Sequence, residues 1–205
     1  MITKPDQTES DRTLWQELAR GSQAALSRLF SRYYIELFSY GLKVAGERLL
    51  VEDAIQDVFF TLWKNRTRRG EVKSVKSYLF TSLRREIFRM RQGEKNRMLR
   101  NRKYLEELSE FSLSQEEFLI SEELESEQKA LLNQALDELS PRQKEALYLR
   151  FYTGLPYEEL AEVMSVRSQT ARNHVFEALQ ILRKQFVTLL FLVPPLLKYL
   201  TLCGA

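Results

Sequence analysis

The chain has 205 residues, 44% of them hydrophobic and 29% charged, with 31 Lys+Arg against 28 Asp+Glu and a formal net charge of +3. A single cysteine, Cys203, and a single histidine, His174, exclude a disulfide framework, a Cys-based zinc site and a His-rich metal centre. The length suits one domain or two small ones, and 7 Gly with 5 Pro are too few for a disordered or collagen-like chain.

The elements are helical from the start. A short helix is expected around Leu14, Trp15 and Leu18. Leu26, Leu29, Phe30, Tyr33, Leu37 and Phe38 then form one apolar stripe at helical spacing. Ile55, Val58, Phe59, Leu62 and Trp63 form a second, and Val75, Leu79, Leu83, Ile87 and Met90 a third. No segment alternates as a strand does. Residues 10–95 therefore read as a helical bundle, and residues 96–130 as a polar linker.

A second domain, 131–185, starts sharply at Ser140-Pro141-Arg142-Gln143, where serine, proline and glutamine make a capping-box start. Thr153-Gly154 ends that helix. Tyr157–Met164, a break at Ser165-Val166-Arg167 and a helix from Ser168 to Gln185 give a helix-turn-helix pattern. Ala171, Val175, Ala178, Leu179 and Leu182 should face the core, with Gln169, Arg172, Asn173, Phe176 and Gln180 on the other side. Arg pairs with guanine and Asn or Gln with adenine, so this face carries base-reading chemistry at the helix N-terminus; a plain solvated face is the alternative. Arg167 suits a phosphate contact, and His174 suits a half-buried packing role. The tail, residues 186–205, is apolar but broken by Pro194-Pro195 and interrupted by Lys198. Stable membrane insertion is not expected of it; packing on the second domain or an apolar surface for a partner is.

Charge is uneven along this plan. Met1–Trp63 holds 7 basic and 9 acidic residues, Lys64–Lys103 holds 15 and 3, and Tyr104–Gln128 holds 9 Glu and no Lys or Arg. A basic block followed by an acidic one suits one piece that meets a polyanion and another that repels or imitates it; two solvated faces would look the same. The N-terminal residues, with Lys4, Asp6, Glu9, Asp11 and Arg12, do not form a secretory leader. Neither GxGxxG nor GxxxxGK[ST] occurs, and no nucleophile–base pair or metal cluster is apparent, so no enzyme, cofactor, metal or small-molecule substrate is expected.

Two stretches together resemble a known family. The first, Ala25–Arg91, carries Leu26-x-x-Leu29-Phe30-x-x-Tyr33-Tyr34, Glu52-Asp53-Ala54, Asp57-Val58-Phe59-x-x-Leu62-Trp63 and Ser77-Tyr78-Leu79-Phe80. The second, Ala135–Lys184, carries Leu139-Ser140-Pro141-Arg142-Gln143, Gly154-x-x-Tyr157-x-Glu159-Leu160-Ala161, Thr170-x-Arg172-Asn173-x-Val175 and Leu182-Arg183. In this order they resemble the extracytoplasmic-function (ECF) sigma factors of the bacterial sigma-70 family. The resemblance implies an all-α fold, with a region 2 bundle and a region 4 helix-turn-helix domain joined by the acidic linker. It implies a cytoplasmic initiation factor, nucleoid-associated when in holoenzyme.

The resemblance also implies partners: core RNA polymerase, promoter DNA and an anti-sigma factor. Asp53, Gln56 and Asp57 would dock on polymerase. Lys64, Arg66, Arg68, Arg69 and Lys73, read as loop residues, would serve the −10 element and its melting with Arg84, Arg85 and Arg89 of the next helix. Arg167, Ser168, Gln169, Thr170, Arg172 and Asn173 would read the −35 element. Tyr78 is expected to pack inside. The Glu-rich linker would lie near the RNA exit path. Two departures stand out. Pro156 occupies the place of a common Ser cap, and Arg167 replaces a small polar residue, so the cap of the reading helix should shift to Ser168. The alternatives are a helix-turn-helix regulator that binds DNA without polymerase and a protein that sequesters a partner through its apolar tail.

Overall fold

The computed structural model describes residues 10–68, 70–98, 111 and 134–190. The linker (apart from residues 96–98 and Phe111) and residues 191–205 of the tail lie outside them. Among the described residues every regular element is helical. They are α1 (Asp11–Ala19), α2 (Gln23–Ala45), α3 (Arg48–Lys64), α4 (Val75–Met98), α5 (Pro141–Leu147), α6 (Tyr157–Met164) and α7 (Ser168–Leu190). A 3-10 turn, Arg66–Arg68, follows α3, and a π turn, Tyr148–Tyr152, continues α5.

The local chemistry explains the boundaries. Ser10 and Ser22 accept the Thr13 and Ala25 backbone N–H groups and so cap α1 and α2. Ser140 and Gln143 close the expected capping box on α5. Gly46, at φ 68°, ends α2 in the left-handed conformation. α7 runs past Gln185 to Leu190, because no breaker precedes Pro194.

The stripes become the core. Leu29, Tyr33, Leu37 and Tyr40 of α2, Ile55, Val58, Phe59 and Leu62 of α3, and Leu79, Phe80, Leu83 and Ile87 of α4 are buried. α2 and α3 cross closely at Gly41, where a Cβ would stand 2.5 Å from Val51 Cγ1. In the second half, Ala146, Leu147, Leu149, Leu160, Val163, Ala171, Val175, Ala178 and Leu182 are buried. Leu179 departs from expectation: it is 42% exposed. The next residue along a helix turns 100° away, so it leaves the stripe that Ala178 keeps.

The two halves pack on each other, chiefly through α4 and α6. That arrangement was not visible in a plan of two domains and a linker.

Candidate nucleic-acid interface

The turn of α3 buries its apolar stripe and leaves Asp53, Gln56 and Asp57 exposed on the opposite side. Phe60, 65% exposed, extends the same face, since it follows Gln56 by one turn. It was missed because an aromatic inside an apolar run reads as core. Arg89 on α4 reaches Asp57 at 3.5 Å but is held mainly by Glu86. Hydrogen bonding to Glu86 holds the Arg89 pKa above its ordinary value.

The basic stretch is more ordered than a loop. Lys64 is the last residue of α3, and Arg66 and Arg68 belong to the 3-10 turn. The Arg66 guanidinium lies 4.2 Å from the centre of the Trp63 ring and donates to the Trp63 carbonyl at 2.9 Å. Trp15 Nε1 donates to the Gly70 carbonyl at 3.3 Å, which pins the following segment to α1. Arg68, Lys73 and Arg85 are exposed. Arg69 lies outside the described residues.

Arg84 corrects the expectation. It does not stand on the basic surface: it is buried, with Nε 2.8 Å from Glu145 Oε1. Burial pulls its pKa down, and the adjacent Glu145 carboxylate outweighs that and raises it. The physical reason is the packing of α5 over this face of α4, which supplies a carboxylate from 61 residues away in sequence.

The helix-turn-helix forms as its spacing predicts. Ser165 takes the left-handed conformation, φ 56°, between α6 and α7. Arg167, Gln169, Arg172 and Asn173 are exposed, Ser168, Thr170 and His174 half-buried. Gln169 donates to Asn173 Oδ1 at 3.0 Å, one turn along. Arg172 pairs with Glu158 at 2.8 Å and lies 5.3 Å from the centre of the Tyr157 ring.

Pro156 caps α6 without a side-chain bond, as its missing hydroxyl requires. Glu158 and Glu159 in the first turn offset that loss by facing the positive end of the helix. Its own backbone N–H, then Arg172, hold the Glu158 carboxyl below its ordinary pKa. The cap of α7 does not move to Ser168. The Arg167 carbonyl accepts from Ala171 N–H at 3.0 Å, so Ser168 is already helical, and its hydroxyl has no partner among the described residues.

Both candidate DNA-facing sets border one cleft of about 690 Å³. Lys73, Tyr78 and Arg85 line one wall, and Glu158, Glu162 and Ser168 the other. Tyr78 is therefore not simply internal: it is half-buried, with its ring edge-on to Trp15 at 5.1 Å.

Behind the cleft, Glu145 accepts from Tyr40 OH at 2.8 Å as well as from Arg84, and Arg142 reaches its other oxygen at 3.2 Å. Burial, then Glu145, drive the Tyr40 pKa well above its ordinary value. Tyr148 donates to Ser39 at 3.0 Å, and Lys76 to the Thr153 carbonyl at 2.6 Å. Phe111, a residue of the linker stretch, packs against both Tyr40 and Tyr148, with ring centres 6.1 and 5.8 Å away, while the two tyrosine rings stack on each other at 6.2 Å.

Comparison with known proteins matches the same two halves. The family model for sigma-70 region 2 covers residues 29–97, and that for sigma-70 region 4 covers residues 129–182. RNA polymerase sigma factor SigV of Bacillus subtilis strain 168 is 39% identical over 54 residues, which span 26% of this chain and 32% of that protein. ECF RNA polymerase sigma factor SigK of Mycobacterium ulcerans strain Agy99 is 19% identical over 184 residues, 89% of this chain and 97% of that one. Among solved structures, CnrH in complex with the cytosolic domain of CnrY shares the fold at TM-score 0.55 and 18% identity, covering 89% and 97% of the two chains. Sigma factor RpoE of Bartonella quintana, solved with the anti-sigma factor NepR, gives TM-score 0.50 and 19% identity over 78% and 95%.

Proposed function

The chain belongs to the sigma-70 family of RNA polymerase sigma factors, in its ECF group, and on that premise we propose that it binds core RNA polymerase, selects promoter −10 and −35 elements and promotes strand opening. The family is regulatory and non-catalytic. The observation that carries the reading is the order of three exposed faces on one chain: carboxylates on α3, a basic edge from Arg68 to Arg85, and an Arg/Gln/Asn face on the first turns of α7.

Each face has a chemical task. Asp53, Gln56 and Asp57, with Phe60 beside them, suit a basic, partly apolar helical surface on polymerase. Lys64, Arg66, Arg68, Arg69, Lys73, Arg85 and Arg89 suit a separated −10 strand, whose captured bases offset a few kcal/mol of unstacking. Arg167 and Ser168 suit phosphates beside the −35 element, and Gln169, Thr170, Arg172 and Asn173 its base edges.

The functional units are then 10–95, 96–130, 131–185 and 186–205. An anti-sigma factor is the further partner, in line with the NepR complex of RpoE. The place of action is the cytoplasm, on the nucleoid when in holoenzyme. No helix among the described residues is long and apolar enough to cross a membrane.

The test mixes the protein with sigma-free core polymerase, with Asp53→Arg/Asp57→Arg as control. Binding that the double variant loses supports the reading. Binding to duplex DNA without any affinity for core would replace it with the stand-alone regulator.

A further inference from the structure

We infer that the connection from α3 to α4 is a pre-set reader of the −10 strand, and that Trp15 and Arg66 are the residues that position it. The inference rests on the promoter-reading function proposed above and names what gives that reader its selectivity.

The connection is fastened at two points. On the α3 side, Arg66 donates to the Trp63 carbonyl at 2.9 Å, with its guanidinium 4.2 Å from the centre of the Trp63 ring. The Arg68 N–H donates to the Asn65 carbonyl at 3.0 Å and closes the 3-10 turn. The turn between α1 and α2 comes close as well, because a Cβ at Gly21 would stand 3.8 Å from Arg66 Nε. On the α4 side, Trp15 Nε1 donates to the Gly70 carbonyl at 3.3 Å. Trp15 is buried and edge-on to Tyr78, so the donor itself has little freedom. Arg68 stands exposed between the two fastenings.

The bond from Trp15 has a use beyond packing. Gly70 is exposed, so water could satisfy its carbonyl, and a phenylalanine at position 15 would still be an apolar core residue. What the indole N–H adds is a fixed place for the backbone beside Arg68. The same helix sorts the charges. Glu71 is the single carboxylate from Lys64 to Lys73. Arg12 reaches both its oxygens, at 3.3 and 3.4 Å, and Gln16 donates to one at 3.4 Å. Such exposed contacts add little stability. They draw the carboxylate toward α1 while Arg68 and Lys73 stay exposed for a phosphate.

Fastening bears on selection. A mobile reader shifts to make partial contacts with a wrong base, whereas a fixed one leaves those contacts unmade. A fixed reader also gives up less conformational freedom on capturing a strand. Trp15, Arg12 and Gln16 all belong to α1, which precedes the residues matched to sigma-70 region 2. The reader therefore extends to a helix outside that match.

The experiment assembles full-length protein with sigma-free core polymerase and selects from a library of duplexes randomised at both promoter elements. The readout is the enrichment of the favoured base over the other three at each position. Trp15→Phe keeps the ring and removes the donor. It should flatten the −10 preference by about fivefold, the equivalent of one hydrogen bond, with the −35 preference and core binding unchanged. Arg66→Lys keeps the charge and loses the planar stack, and should flatten the preference across the whole −10 element.

A third variant has the opposite sign and guards against misfolding of Trp15→Phe. A Cβ at Gly70 would meet no heavy atom within 4 Å, so Gly70→Ala narrows the freedom of the chain without a clash. It should keep or sharpen the −10 preference. A preference unchanged in folded Trp15→Phe or in Arg66→Lys, a loss confined to one base pair in Arg66→Lys, an equal loss at −35, or a loss in Gly70→Ala overturns the positioning role. A wild type that forms no holoenzyme, or a holoenzyme without any −10 preference, fails the function proposed above, and the positioning role falls with it.

Discussion

The ion pairs Arg84–Glu145 and Arg172–Glu158 have the same 2.8 Å separation and opposite surroundings. Arg84–Glu145 is 7% and 1% exposed between the halves; Arg172–Glu158 is 52% and 66% exposed on the helix-turn-helix. The difference lies in solvent. In water the pair is screened, contributes little, and its arginine is free to exchange a carboxylate for a phosphate or a base edge. In the interior the same pair has no solvent to fall back on, so removing one partner strands the other. Distance alone does not separate a structural ion pair from a functional one, and exposure does.

The sharpest way to break the comparison is at the buried pair. Glu145→Ala should cost about 3–5 kcal/mol of stability, read as a fall in the urea midpoint, because it leaves Arg84 charged and unpaired. A loss below 1 kcal/mol would mean that water already reaches Arg84.

Tyr40→Phe should cost about 1.5–3 kcal/mol, the range for a hydrogen bond to a charged group. Its pH dependence carries a sign. Tyr40 keeps its proton in the folded state while an unfolded tyrosine ionises near 10.0, so the tyrosine's contribution is complete below that value and is lost as pH rises beyond it. The variant should therefore lose less stability than wild type between pH 9.5 and 11, followed by circular dichroism. Tyr33, raised by burial and by Asp11, keeps part of the alkaline slope in both proteins.

At the exposed pair the effects move from stability to binding. Arg172→Ala should leave the melting temperature unchanged and weaken binding of polymerase-bound protein to its −35 site by about 1–3 kcal/mol, concentrated at one base pair. Glu158→Gln should cost no more than about 0.3–1 kcal/mol, its share of the favourable field at the N-terminus of α6, since solvent screens the pair with Arg172. It should modestly tighten binding to the −35 site by releasing Arg172 for its base edge. A clear loss of stability in Glu158→Gln would erase the distinction between the two pairs.

Much of the fold was legible because helices are local. The stripes through Leu29, Ile55 and Leu79, the capping box at Ser140 and the break at Ser165 need only residues within a turn or two of each other. The acidic face of α3 and the reading face of α7 followed from the same period. Leu179 and Phe60 escaped it. Each sits at the edge of a stripe, where 3.6-residue spacing does not decide between core and solvent.

The role of Arg84 was not legible at all. As one of 15 basic residues between Lys64 and Lys103, it looked like its neighbours. Its partner lies 61 residues away, on a helix whose own sequence shows only a glutamate beside an apolar run. Helical periodicity places a side chain on a face, and composition says which face prefers water. Neither says which face of one helix meets which face of another, because that depends on a packing energy summed over the whole interface. The sequence by itself determined the helices, the capping box at Ser140, the two motif-bearing halves and the family. Only the tertiary structure decided that those halves close on each other, that Arg84 faces Glu145 rather than DNA, and that Phe111 joins the stacked rings of Tyr40 and Tyr148.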